Sequence, residues 1–295
     1  LELPVSQGVP QEQFFHYLDI REMNLGPGEE LVYFFEIWDN DGVNGSKASR
    51  SQARVFRAPT AQEVAEEYDR QTGKVEGDMS EMLDASRRMM QEIENLRKEL
   101  MSKESLSWQD KKKVEDMLKK TRELEKQMEQ TRQENTNKLQ KEQQYRDVNE
   151  RLMEKQAELE KLFSEIFDDE MKKMLEELQK MLEEFDKDKV NEMMEKMKMT
   201  SEELEKELDR NLELFKQLEF EKKLDETIQR MEKLAEEQDK LRQETEKGEK
   251  SAEDLKKEQD KLNEEFQNLS DAMRDLEKKN EELSDPFNLE DTRQE

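Results

Sequence analysis

Catalysis needs side chains that can hold a proton, a metal or a covalent intermediate, and this chain offers few in useful spacing. Its one histidine, His16, sits in an aromatic run, and cysteine is absent. No two-histidine metal site and no serine–histidine or cysteine–histidine relay can therefore be assembled. Carboxylates abound, but 44% of the residues are charged, so neighbours such as Asp168 and Asp169 arise by composition. Adjacency of that kind implies no acid–base dyad. Neither of the glycine-rich patterns that cradle phosphates is present, which argues against nucleotide hydrolysis.

One loop invites a metal reading. Asp39-Asn40-Asp41-Gly42-Val43-Asn44-Gly45 crowds acidic oxygens into a tight bend, the chemistry that suits calcium. The spacing of a helix–loop–helix calcium site fails, however: Val43 stands where a third ligand belongs, Asn44 replaces the glycine and Arg50 replaces the closing glutamate. A strand-connecting turn needs the same residue types for its positive φ angles, and the turn is the favoured reading. The expectation is a protein with no enzymatic activity, no metal and no cofactor.

The 18 methionines are the remaining oddity. They gather with phenylalanine between positions 163 and 199: Phe163, Phe167, Met171, Met174, Met181, Phe185, Met193, Met194 and Met197. Their spacing follows helical faces and no histidine or cysteine assists, which disfavours thioether copper. Two uses stay open, packing at the tip of a helical hairpin or an adaptable apolar surface for a partner.

Composition sets the elements that must position these residues. Only 32% of the chain is hydrophobic and its mean hydropathy is -1.27, close to where chains stay disordered because burial cannot offset entropy. Long helices joined along narrow seams escape that limit. The expected fold class is mainly α: an elongated antiparallel helical bundle or coiled coil, with a small N-terminal β-sandwich fragment. The net charge of -27 repels phosphates and anionic lipid, so nucleic acid and bare membrane are poor partners and a basic or apolar protein surface is a better one. Oligomerisation through the seams is open. No stretch reaches 18 apolar residues, and the start at Leu1 reads as the start of a piece of a longer protein.

Three regions follow. Residues 1–59 hold five of the eight glycines and read as strands at Gln13–Ile20, Glu30–Trp38 and about Ala48–Arg57. They look like the last strands of an immunoglobulin- or fibronectin-like sandwich, which needs roughly 7. Residues 60–284 read as long helices. Thr60 and Glu63 make a capping box, and Val75, Met79, Met82, Ser86, Met89, Ile93, Leu96 and Leu100 form a heptad seam. Gly73 and Gly77 weaken its first half. Ser102–Leu106 interrupts it, and a second helix starts at Ser107 and runs to about Ile166, with Leu139, Tyr145 and Val148 in its seam and Asn135 and Glu142 as polar insertions. A hairpin tip over 163–199 follows. Met199–Leu204 reads as a fresh helix start, Gly248 as a stop, and Ser251 opens a last helix ending before Pro286. Residues 285–295 read as a loose acidic tail.

The stretch Tyr33-Phe-Phe-Glu-Ile-Trp-Asp-Asn-Asp-Gly-Val-Asn-Gly-Ser-Lys47, then Arg57-Ala-Pro-Thr60 and heptad helices, resembles large membrane-anchored envelope proteins of Bacteroidetes grouped as domain-of-unknown-function family 4175. The resemblance implies a transmembrane N-terminal anchor outside this sequence and a periplasmic location on the inner membrane. It brings no activity to any residue. The functional expectation is a non-enzymatic adaptor or spacer that docks proteins through the 163–199 tip. The alternative is a periplasmic holdase chaperone that grips clients with the tip methionines.

Overall fold

The computed structural model describes residues 13, 16–23, 25–26, 28–39, 43, 45–145, 150–166, 169–181, 187–248 and 250–289. The chain is mainly helical and divides into two compact units, residues 1–69 and 70–295.

The first unit is built on two antiparallel strand pairs. β1 (Glu30–Tyr33) pairs with β4 (Arg54–Arg57), and β2 (Glu36–Trp38) pairs with β3 (Ala48–Arg50). Glu30 faces Arg57, Tyr33 faces Arg54 and Glu36 faces Arg50. Residues 34–35 thus lie opposite 51–53, so the returning strand carries one residue too many, which is a bulge. Ser51 closes it, donating its N–H to the Phe35 carbonyl at 2.8 Å and accepting the Phe35 N–H on its hydroxyl at 2.9 Å. The expected strand at Gln13–Ile20 is not formed. His16–Asp19 has no regular structure and Ile20–Met23 is a single 3-10 turn, while Phe14 and Phe15 lie outside the described residues. Val32, Phe34, Phe35, Ile37, Trp38, Val55 and Phe56 all remain exposed.

At Thr60 the period changes and α1 (Ala61–Met101) begins. The capping box forms as its sequence requires: Glu63 N–H donates to Thr60 Oγ1 at 3.2 Å, and Thr60 N–H donates to Glu63 Oε2 at 2.8 Å. The helix runs unbroken through Gly73 and Gly77. All eight residues of its predicted seam are buried.

After the expected break, α2 (Trp108–Tyr145) starts from a second reciprocal cap. Asp110 N–H donates to Ser107 Oγ at 3.3 Å and Ser107 N–H donates to Asp110 Oδ2 at 2.8 Å. Lys103 lies 2.5 Å from the same carboxylate and, with the Ser107 bonds, holds Asp110 down to about 2 against burial.

The long second helix is corrected. α2 ends at Tyr145 and α3 (Glu150–Ile166) folds back along it. Arg132 reaches Glu160 at 2.8 Å and Thr136 reaches the same carboxylate at 3.1 Å. One continuous helix would hold positions 132 and 160 about 40 Å apart. A first reversal therefore falls between 145 and 150, where none was expected, and Val148 lies outside the described residues. α4 (Asp169–Met181) continues beside α2, and α5 (Lys187–Lys247) runs antiparallel to α1, with Arg97 on Glu195 at 2.7 Å and Arg87 on Glu205 at 3.1 Å. A second reversal falls between α4 and α5, inside the expected 163–199 tip, because α5 runs parallel to α2 with Lys138 on Glu219 and Lys222 on Glu142.

The helix start at Met199–Leu204 is also overturned, because α5 passes straight through it for 61 residues. Thr200 is buried and donates its hydroxyl back to the Lys196 carbonyl at 3.0 Å, the bond by which Thr is tolerated inside a helix. Met199 is exposed while Leu204 is buried, so no staple joins them. Packing of Val190, Met193, Met194, Met197, Leu204 and Leu208 in one core outweighs a local signal worth about 1 kcal/mol.

Gly248, at φ 67°, ends α5, and α6 (Ala252–Glu281) returns along it with Ser251 as its N-cap. The start of the tail is not loose. Asn280 donates to the Phe287 carbonyl and accepts the Phe287 N–H, both at 2.8 Å, and the Phe287 ring stacks on Phe220 at 5.0 Å. Residues 290–295 lie outside the described residues.

Candidate functional site

The expected tip residues are brought together, but indoors. Phe163, Met193, Met194 and Met197 are at most 3% exposed and share one core with half-buried Met171. The side chains of Met174 and Met181, and all of Phe167 and Phe185, lie outside the described residues. Of the expected tip residues whose side chains are described, Phe163, Met193, Met194 and Met197 are interior and Met171 partly so, because α1 to α4 close over them, while Met199 at the end of the same stretch is exposed.

The unusual chemistry lies one step along the same core, where charged side chains enter it. Lys138 of α2 has a fully buried side chain. Its ammonium meets Glu219 of α5 at 2.8 Å and Thr72 of α1 at 3.2 Å, and sits 4.7 Å over the Phe215 ring. Thr72 completes a triangle by donating to the other Glu219 oxygen at 3.3 Å. One turn further, Lys222 meets Glu142 at 2.6 Å, both side chains at most 5% exposed. Beside them Glu221 takes Arg151 at 2.7 Å and Lys155 at 2.5 Å from α3. Four helices thus contribute to one layer of alternating charge.

Burial explains the electrostatics. Removing Lys138 from water pushes its ammonium below the ordinary lysine value, and Glu219 offsets that only in part. A charge so placed stays only because its partner and the ring face repay part of the desolvation. Polar groups beside the layer are less well served. Neither amide atom of Asn135, nor Nε2 of Gln156, nor Oδ1 of Asn211 bonds to a protein group. Each such group costs about 1–3 kcal/mol.

Asn135 and Glu142 were legible as polar core insertions, whereas Lys138 was missed. The seam passes through Lys138, and Leu139 beside it is only half-buried. The signal was present: Leu124, Met128, Thr131, Asn135, Lys138 and Glu142 keep steps of four and three without a break.

The layer can lock helix register, and its Lys138–Glu219 and Lys222–Glu142 pairs lie at most 5% exposed. Two of the shallow clefts among the described residues flank the helices. One of about 260 Å3 between α1 and α2 includes Lys74, Asp78 and Glu134, and Lys74 is already bonded to Glu134 at 2.5 Å. The other, about 270 Å3, lies among α2, α3 and α4 around Met128, Arg132 and Lys172. The Asp39 carboxylate of the candidate calcium loop accepts the Lys47 N–H at 2.8 Å, as a turn requires; Asn40, Asp41, Gly42 and Asn44 lie outside the described residues. His16 is exposed. Among the described residues no helix is long and apolar enough to cross a membrane. No protein-family model matches the chain, and comparison with curated proteins and with solved structures gives no match.

Proposed function

We propose that this chain is a non-enzymatic adaptor or spacer module of a bacterial cell-envelope protein, held on the periplasmic side of the inner membrane by an N-terminal anchor and working by protein–protein docking. Its helices act as an elongated antiparallel bundle, and its strands as the end of a sandwich. The observation that carries this reading is the fate of the polar groups drawn into the core. Lys138 is spent on Glu219 and Lys222 on Glu142, so the interior holds helices in register and presents nothing to a substrate. The acidic surface, at net charge -27, favours basic or apolar protein partners over nucleic acid. The envelope placement rests on the resemblance of residues 33–60 to the Bacteroidetes family. The holdase alternative is not favoured, because Met193, Met194 and Met197 are packed inside.

Photo-crosslinking residues placed along the helices of the full-length protein in native envelopes test the proposal. Discrete protein adducts at a few exposed positions are expected. Fractionation of the full-length protein with the cytosol, or a purified protein that turns over substrate, would overturn it.

A further inference from the structure

Beyond the charged layer, α5 and α6 run on as a pair whose seam is closed on one side and open on the other. The closed row is Thr227, Leu241, Leu262, Leu269 and Leu276, all buried. The open row repeats every seven residues on both helices, Leu224, Met231 and Gln238 on α5 and Gln259, Phe266 and Met273 on α6, and its α5 end is half-covered where Leu224 packs on Phe220, Leu276 and Leu283. The register is fixed by the two glutamines, which exchange hydrogen bonds at 3.1 Å. Met231 is 41% exposed and Phe266 64%, with Ile228 beside them at 45%. A two-helix seam that leaves Ile228, Met231 and Phe266 open between a glutamine pair and half-buried Leu224 has the form of a groove that lacks a third helix.

Charge decides which helix. The charged positions one and four residues beyond the row are acidic at Asp225, Glu232, Asp239, Asp260 and Glu277 and basic at Arg242 and Arg274; Arg242 pairs with Asp239 at 2.7 Å and Arg274 with Asp271 at 3.0 Å, so the rim keeps an acidic excess. A second copy of this chain would bring the same acidic rim against it, and like charges so placed cost affinity. A helix with an apolar stripe between lysines or arginines meets both the groove and its rim.

We propose that the α5–α6 groove over residues 224–273 docks a basic amphipathic helix of a partner protein. This rests on the docking reading above and names its surface. The probe is a fluorescein-labelled synthetic amphipathic helix of about three heptads with leucine on its stripe and lysine and arginine on its flanks; a twin carries glutamate there instead. Anisotropy titration of the full chain should show binding of the basic probe that weakens with salt, and at least about ten-fold weaker binding of the twin. Phe266→Glu and Met231→Glu, each checked by circular dichroism, should each weaken binding of the basic probe by about ten-fold or more. Phe266→Ser, which adds no charge, should weaken it in the same direction. No binding of the basic probe, equal binding of the twin, or indifference to all three substitutions would overturn the proposal. So would sedimentation showing dimers that Phe266→Glu dissolves, which would give the groove to a second copy. Crosslinks captured elsewhere on the helices, with this face silent, would sink the groove and leave the docking function standing.

Discussion

Two stretches of one helix make the instructive comparison. Residues 190–222 and 224–247 of α5 share heptad spacing and a rich supply of Glu and Lys, yet Met193 is fully buried and Met231 is 41% exposed. The first stretch is enclosed by α1, α2, α3 and α4, whereas α6 is the helix against the second. Burial along a regular seam is decided by how many helices converge on it, and the pattern of the seam itself does not count them. The enclosed stretch can therefore hold charges indoors, and the open one keeps its apolar row available.

The largest break in that contrast should come from Lys138→Met, which strands Glu219 in the core. It should cost about 3–5 kcal/mol in urea unfolding, while Lys138→Met with Glu219→Leu should recover most of it. If the double variant is no better than the single one, the two side chains are not a pair. Next comes Met193→Ala, at about 2–4 kcal/mol, against Met231→Ala within about 0.5 kcal/mol. Equal losses at the two methionines would erase the distinction.

A smaller effect is set by acid. The Asp110 carboxyl is lowered from 3.8 to about 2, so its contribution is present above the unfolded value and lost as pH falls through the folded one. Asp110→Asn should cost about 1–2 kcal/mol near neutrality and flatten the decline in stability between about pH 4 and 2. The smallest effect should be a gain. A methyl group added at Gly73 or Gly77 meets nothing within 4 Å, so Gly73→Ala and Gly77→Ala should each raise stability by about 0.5–1 kcal/mol.

The same contrast explains what could be read without coordinates. The cap at Thr60, the break at Ser102–Leu106, the stop at Gly248 and the cap at Ser251 were legible, since each depends on residues a few positions apart. The reversal between Tyr145 and Glu150 was not. No glycine or proline marks it, and Tyr145 and Val148 carry the apolar spacing across the gap. The box at Thr200 misled for the opposite reason: its local chemistry is sound, but distant helices reward a continuous α5. The methionine cluster was found as a set, and its inward direction could only come from the helices that cover it. The groove residues Ile228, Met231, Phe266 and Met273 were all read as seam, and the open side they share depends on the absence of a third helix from the described structure.

Native-state hydrogen exchange along α5 of the full chain tests the central claim most directly, because slow exchange reports how deeply a segment is enclosed. Amides of residues 190–222 should exchange at the slowest, global rate. Those of 228–247 should exchange faster by about two orders of magnitude or more, reflecting a local opening that costs about 3 kcal/mol less. Uniform protection along all of α5, or the slowest exchange in 228–247, would contradict the division into an enclosed charged core and an open α5–α6 pair.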